Sequence, residues 1–244
     1  MCSSQTPIYE RIRSIDPLFA AKTLGSLALL TFSGVITISL IFNRSTQLSE
    51  VSSPWLTLFI FGGLLAWLAM MEGGQGCLVG LQAISRDVYA SSHPRTLTNT
   101  IVAHEGDNME RFIIGRQFLV VLVIFLINTS ASPIAEASAL GFEGLVTSIF
   151  LDNGVAIMVT TIILGQLTTQ VNAAVCMLDF INNYFMLFTT CVSLGIEYSG
   201  LLHSVYLVQI GFSKLTGNPI VSKEVCAIVV AFLFILYALH FFSN

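Results

Sequence analysis

Long apolar runs separated by short polar stretches form the main pattern of this chain. Five segments contain no charged side chain; they lie at positions 23–43, 51–71, 117–135, 153–178 and 225–244. Each is close to or above the ~20 residues that a helix needs to cross about 30 Å of hydrocarbon. The alternating apolar and polar residues of a membrane β-barrel are absent. The pattern predicts an all-α, polytopic helical membrane protein with about five to six transmembrane helices.

The predicted spans cover about 23–42, 54–71, 112–129, 148–170, 175–210 and 225–242. A glycine-rich stretch at 72–80 follows the second span, and we predict a long polar loop at about 85–110. The fifth segment is too long for one crossing. It is either a tilted helix with an interfacial extension or two segments broken near 195–200, and the sequence leaves both open.

Composition and charge support this class and argue against others. The chain is 55% hydrophobic and 10% charged, whereas roughly a quarter of the residues in a soluble domain are charged. Basic residues concentrate in the N-terminal tail and the 2–3 loop, which the positive-inside bias assigns to the cytoplasm. No basic run suggests a nucleic-acid partner. Zincin, nucleophile-elbow and phosphate-loop motifs are absent, so we predict that the chain is not an enzyme.

Two polar motifs interrupt the apolar pattern at the ends of neighbouring spans. The first is Glu72-Gly73-Gly74-Gln75 after the second span, and the second is Gly115-Arg116-Gln117 near the start of the third. Ionisable side chains at membrane depth are costly and usually functional. Glu72 and Arg116 lie at similar depths on adjacent helices, so we predict that they form an ion pair flanked by amides. Such a set suits a small, neutral, polyhydroxylated solute better than an anion.

The backbone at the first motif has two interpretations. Interior glycines are unfavourable in a helix by about 1 kcal/mol each, so the motif could be an unwound stretch like those that form transporter sites. Alternatively, the helix ends at Met71 and turns into the loop with Glu72 in solvent. Further polar side chains in the membrane, Gln166 and Asp179 among them, could coordinate a cation or join helices by hydrogen bonds, and we favour the second role.

The two motifs, together with the segments between and after them, resemble the diatom silicon transporter family. The resemblance rests on these sequence segments: Met71-Glu72-Gly73-Gly74-Gln75, Ser92-His93-Pro94, Glu105-Gly106-Asp107-Asn108, Ile114-Gly115-Arg116-Gln117-Phe118, and the stretches 165–173 and 176–185. It covers about residues 55–222. It implies uptake of orthosilicic acid, often coupled to sodium, across the plasma membrane or an intracellular vesicle membrane. It also implies that Glu72, Gln75, Arg116 and Gln117, with the motif glycines Gly73, Gly74 and Gly115, contribute to the substrate-binding site.

The resemblance also implies a half-size architecture. Full-length members resemble two inverted halves of five spans, each with its own pair of motifs, and this chain has one pair. We therefore expect a cytoplasmic tail at 1–22, a five-helix half-repeat at 23–212, and a connecting loop with a sixth helix at 213–244. Such a chain is a truncated product, a gene-model fragment, or a half-size form that dimerises or pairs with a full-length transporter.

From these features we predict a carrier that works by alternating access around spans 2 and 3, as a homodimer in a lipid membrane. Glu72 and Arg116 would shape the cavity while Gln75 and Gln117 hydrogen-bond silicic acid. No cofactor is expected beyond a sodium ion for coupling, with Gln166 and Asp179 as weak candidate ligands. The alternatives are a passive pore for small neutral solutes and a non-transporting partner subunit of a full-length carrier.

Overall fold

The computed structural model describes residues 17–134 and 147–216, and these residues are almost entirely helical. We number the α-helices in chain order: α1 Pro17–Phe42, α2 Gln47–Val51, α3 Pro54–Leu81, α4 Pro94–Ala103, α5 Asn108–Ala131, α6 Val155–Thr160, α7 Thr168–Val175, α8 Met177–Phe180, α9 Tyr184–Tyr198 and α10 Ser204–Thr216. A 3-10 turn covers Arg86–Val88. Two π-helical segments cover Ser148–Asp152 and Thr161–Leu167. The all-α prediction is confirmed.

Four helices in the described residues are long and apolar enough to cross a membrane. They are α1, α3, α5 and the continuous run Val155–Val175, which joins α6, the second π-helical segment and α7. The boundaries follow ordinary capping signals. Pro54 occupies the first turn of α3, and the Ser53 side chain caps that helix by accepting from the Leu56 N–H at 3.3 Å. Proline is tolerated at this position because the N–H groups in the first turn of a helix have no partner within the helix.

Helix α3 runs unbroken through the glycine-rich stretch to Leu81. Both interpretations of this stretch, an unwound segment and a helix end at Met71, were therefore wrong. The glycines allow close packing instead. A Cβ added at Gly73 would lie 2.5 Å from the ring of Phe180, and one added at Gly74 would collide with the Met186 side chain. Small residues at such contacts let membrane helices approach closely, and this packing offsets their low helix propensity.

The predicted polar loop at 85–110 is in fact a folded segment, so this prediction is also corrected. It contains the 3-10 turn and helix α4, whose first residue is Pro94. Helix α4 docks on the connection between α7 and α9. The Asn99 amide donates to the carbonyls of Ile181 (2.6 Å) and Asn183 (3.3 Å). The polar composition of this segment suggested an unstructured loop, but these tertiary hydrogen bonds stabilise α4 as a short helix.

Helices α3 and α5 form a pair. We call the end at which the chain passes from α3 to α5 the inner end of this pair, and the opposite end the outer end. At the outer end, the α1–α2 connection pairs with the end of α5. The Ile134 N–H donates to the Ser45 carbonyl at 3.0 Å, and the Gln47 N–H donates to the Ser132 carbonyl at 3.3 Å. These bonds bring the end of α1, the start of α3 and the end of α5 to one edge, as antiparallel neighbours require.

The fifth predicted span, 175–210, is broken into separate helices rather than forming one tilted helix, and it contains α8, α9 and the start of α10. Helix α9 ends at Tyr198 and α10 begins at Ser204, with Gly200 at φ +81° between them. This break decides between the two alternatives, and a left-handed φ at this point is readily adopted by glycine. The chain forms two compact units, which meet in sequence between Leu194 and Gly195. The predicted sixth span at 225–242 and most of the tail at 1–22 lie outside the described residues.

Candidate functional site

The two sequence motifs meet between α3 and α5. Arg116 Nη1 lies 3.2 Å from Glu72 Oε1, and the two side chains are only 6% and 10% exposed. The predicted ion pair is confirmed. Because both groups are withdrawn from solvent, each depends on the other for charge compensation, and removing one partner of such a pair generally costs about 3–5 kcal/mol.

Gly115, next to Arg116, lets α5 pack closely against α9 beside this ion pair. A Cβ at Gly115 would collide with the backbone carbonyl oxygen of Ser193 on α9. Backbone cannot move aside as a side-chain tip can, so α5 and α9 can only pack at this distance if the residue before Arg116 has no side chain. The glycine of the second motif therefore sets the helix spacing at the site.

Amides complete the cluster, but not in the predicted arrangement. Arg116 Nη2 donates to Gln117 Oε1 at 3.2 Å. Gln170 Nε2 on α7 donates to Glu72 Oε2 at 2.9 Å. Gln75 is partly buried one turn along α3 from Glu72 and makes no side-chain hydrogen bond to the described residues. The amide that contacts Glu72 is thus Gln170.

The sequence favoured an interhelical hydrogen bond for the polar side chains of this span, but it did not predict that the partner of Gln170 is Glu72. Gln166 and Gln170 lie one helical turn apart in an otherwise apolar span, which places them on one face. Polar side chains at that spacing indicate a helix face directed toward other polar groups. The sequence did not indicate which neighbouring helix this face contacts. In the structure that helix is α3.

Arg116 retains unused hydrogen-bonding capacity. Its Nε and Nη1 atoms are buried and make no well-aligned hydrogen bond within the described residues, although Nη1 contacts Glu72 by charge. A guanidinium presents five N–H donors and no acceptor. Buried donors without partners are rare, and they are ready to bind oxygen atoms of a water molecule or a solute that enters the cluster.

The other predicted residues lie apart from this cluster. Asp179 is 81% exposed at the inner end and lies 3.2 Å from His93 Nε2. Gln166 lines a cavity at the outer end. The structure does not bring Gln166 and Asp179 to a common point, and the described residues contain no group of three or more His, Cys, Asp or Glu side chains arranged for a metal ion. The neighbouring Asn182 joins helices, since its Oδ1 accepts from the N–H groups of Arg95 and Thr96 at 3.1 and 3.3 Å.

Comparisons with known proteins give one clear match. A family model described as "Silicon transporter" matches residues 14–242, almost the whole chain. No curated protein matches the chain, and no solved structure matches it. A match of this extent agrees with the apolar helices and with the paired motifs. The chain is an integral membrane protein that belongs to the silicon transporter family.

Proposed function

We propose that this protein carries orthosilicic acid across a membrane, with the cluster around Glu72 and Arg116 as its inner binding site. Membership of the silicon transporter family supports the substrate. The observation that supports the site is the buried contact of 3.2 Å between Arg116 and Glu72, bounded by the Gln117 and Gln170 amides.

The chemistry of the cluster fits a neutral solute. The carboxylate and the guanidinium neutralise each other, so the cluster offers donors and acceptors without net charge. Orthosilicic acid presents four hydroxyl groups, each able to donate and accept. An anion would be held better by an unpaired cation, and here the cation already has its carboxylate. In this proposal Gln75 and Gln117 hydrogen-bond the solute, and the free donors of Arg116 contribute further bonds.

The transport mechanism we propose is alternating access. The inner end is covered by α4, which is held by Asn99 and Asn182, and the site opens there when this cover moves. Sodium coupling belongs to the same proposal, with no residue assigned to it, because the structure places the candidates Gln166 and Asp179 at different points. Because the chain carries one pair of motifs, we also propose that two copies assemble to complete the pathway.

Uptake of labelled germanic acid, a tetrahydroxy analogue, into liposomes that contain only this chain tests the proposal. We expect saturable uptake that falls when the sodium gradient is removed. Arg116→Ala should abolish uptake because it leaves Glu72 buried without a partner. Thr129→Val is a matched control on the same helix, since among the described residues the Thr129 hydroxyl bonds only the Phe125 carbonyl of its own helix, at 3.0 Å. Uptake by Arg116→Ala at the control rate, with equal protein in the liposomes, would remove the ion pair from the mechanism.

A further inference from the structure

A second polar region lies at the outer end, away from the motif residues. A cavity of about 570 Å³ opens between the end of α5, the start of α6 and the second π-helical segment. This volume is typical of small-molecule sites, which span roughly 300–1,000 Å³. Glu72 and Arg116 do not line it. On α5, Asn128 lies twelve residues beyond Arg116, which at 1.5 Å per residue separates their backbones by about 18 Å.

The polar side chains of this cavity are uncharged and available. It has amides and hydroxyls but no ionisable side chain among its lining residues. The side chains of Asn128, Ser132 and Gln166 make no hydrogen bond to the described residues, and the hydroxyl of Thr161 is buried without a partner. Small-molecule sites place a few convergent polar groups on an otherwise apolar lining. A lining of neutral donors and acceptors selects a neutral polar solute rather than an ion.

The local backbone departs from regular α-helix at this cavity. The second π-helical segment contributes Thr161 and Gln166 to the lining, and at its end the Thr168 N–H donates to the Ile163 carbonyl five residues earlier. Gly154, which also lines the cavity, is left-handed at φ +66°. Single π turns within α-helices occur frequently at functional sites.

The cavity is connected to the ion pair along one helical run. Gln166 lines the cavity, and Gln170, one turn further, donates to Glu72. Between the two levels, Leu68 of α3 packs on Gly165, where an added Cβ would lie 2.9 Å from the Leu68 Cδ2 atom. Leu68 is fully buried one turn before Glu72. An apolar layer therefore separates the cavity from the ion pair.

We propose that the outer cavity is a second binding site for a small, neutral, polyhydroxylated solute, which occupies it before passing the Leu68–Gly165 layer to reach the ion pair. This inference rests on the proposed transport function. Asn128, Ser132 and Gln166 supply its hydrogen bonds.

Protection of an engineered cysteine tests this site without relying on transport. The five native cysteines are replaced by serine, and Met158→Cys or Ile162→Cys, two exposed positions in the apolar part of the lining, is introduced singly into the full chain. The purified protein in detergent is reacted with a methanethiosulfonate reagent while germanic acid is added. At about ten times the dissociation constant only about a tenth of the sites stay free, so the reaction should slow by roughly tenfold. Val51→Cys, at the exposed end of α2 on the same edge, is the control and should react at an unchanged rate.

The outcomes separate this inference from the transport proposal. Saturable protection that persists in Arg116→Ala supports an outer site independent of the ion pair. Protection that disappears in Arg116→Ala, or thiols at both positions that never react, would overturn it. Normal germanic acid uptake by the cysteine-free chain without protection would overturn the outer site and leave transport standing. Protection without any uptake would support the site and count against transport.

Discussion

Polar residues at the two ends of the α3–α5 pair are used in opposite ways. At the inner end they bond one another. Glu72 contacts both Arg116 and Gln170, and Asn99 is buried against two backbone carbonyls. At the outer end the side chains of Asn128, Ser132 and Gln166 line a cavity and make no hydrogen bond to the described residues. The α3–α5 pair is therefore closed by polar contacts at its inner end, while at its outer end polar side chains of the described residues remain free to bond a solute.

The proposed alternating access would need such an asymmetry in one of its two resting states. Alternating access requires one end of the pathway to be closed while the other is open. The closed end has a small apolar core beneath α4 that includes Leu78, Tyr89 and Phe112. The open end lacks a comparable cover over Asn128 and Gln166 in the described residues. Substitutions at the inner end and at the outer end should therefore differ in their effect on stability.

The largest effect is expected from Gly115→Ala at the inner end. The new methyl group would collide with the Ser193 carbonyl, and overpacking of this kind costs typically 1–3 kcal/mol, with more expected against backbone. We expect a loss of more than about 3 kcal/mol in the free energy of unfolding in mixed detergent micelles, together with little monodisperse protein in size-exclusion chromatography.

Gly76→Ala is the matched control for this substitution. Gly76 lies on α3, next to the first motif, and nothing lies within 4 Å of a Cβ added there. Alanine is the better helix former by about 1 kcal/mol, so this variant should be as stable as the parent or slightly more stable. Equal stability of the two alanine variants would show that α5 and α9 do not pack as closely as described.

Asn99→Leu should have an intermediate effect. Leucine leaves the carbonyls of Ile181 and Asn183 without the donor that now satisfies them, and Asn99 is fully buried. A buried group left unsatisfied costs about 1–3 kcal/mol, so unfolding free energy should fall by roughly that amount. Faster proteolysis between α3 and α5 would show that α4 has been released. Unchanged stability and proteolysis would mean that α4 is held by other contacts.

Asn128→Leu, the same exchange at the outer end, should have the smallest effect on stability. The Asn128 side chain makes no hydrogen bond to the described residues, and it is exposed. Surface changes away from specific contacts usually stay within about 0.5 kcal/mol. We expect unfolding free energy within that range of the parent, measured as for Asn99→Leu. A loss equal to that of Asn99→Leu would contradict the difference between the two ends.

Much of the architecture and of the ion pair could be predicted from the sequence. Charge-free segments of membrane length gave the spans because hydrocarbon excludes charged residues. The pairing of Glu72 with Arg116 followed from their similar depth on adjacent helices. The prediction for the stretch at 72–80 was wrong because helix propensity does not include the packing of this stretch on other helices. Packing of Gly73 and Gly74 on Phe180 and Met186 outweighs the intrinsic cost of glycine.

Contacts between segments distant in the sequence decided the rest. The hydrogen bonds of Asn99 make a helix of a stretch whose polar composition suggested a loop, and Gln170 reaches Glu72 from 98 residues away. The sequence by itself determined the membrane class, four of the spans and the central ion pair, because the bilayer excludes charge from the spans and leaves two opposite charges at similar depth to pair. Only the tertiary structure decided which amides join the pair and where a cavity remains. These depend on which helix faces meet, and local composition does not specify that choice.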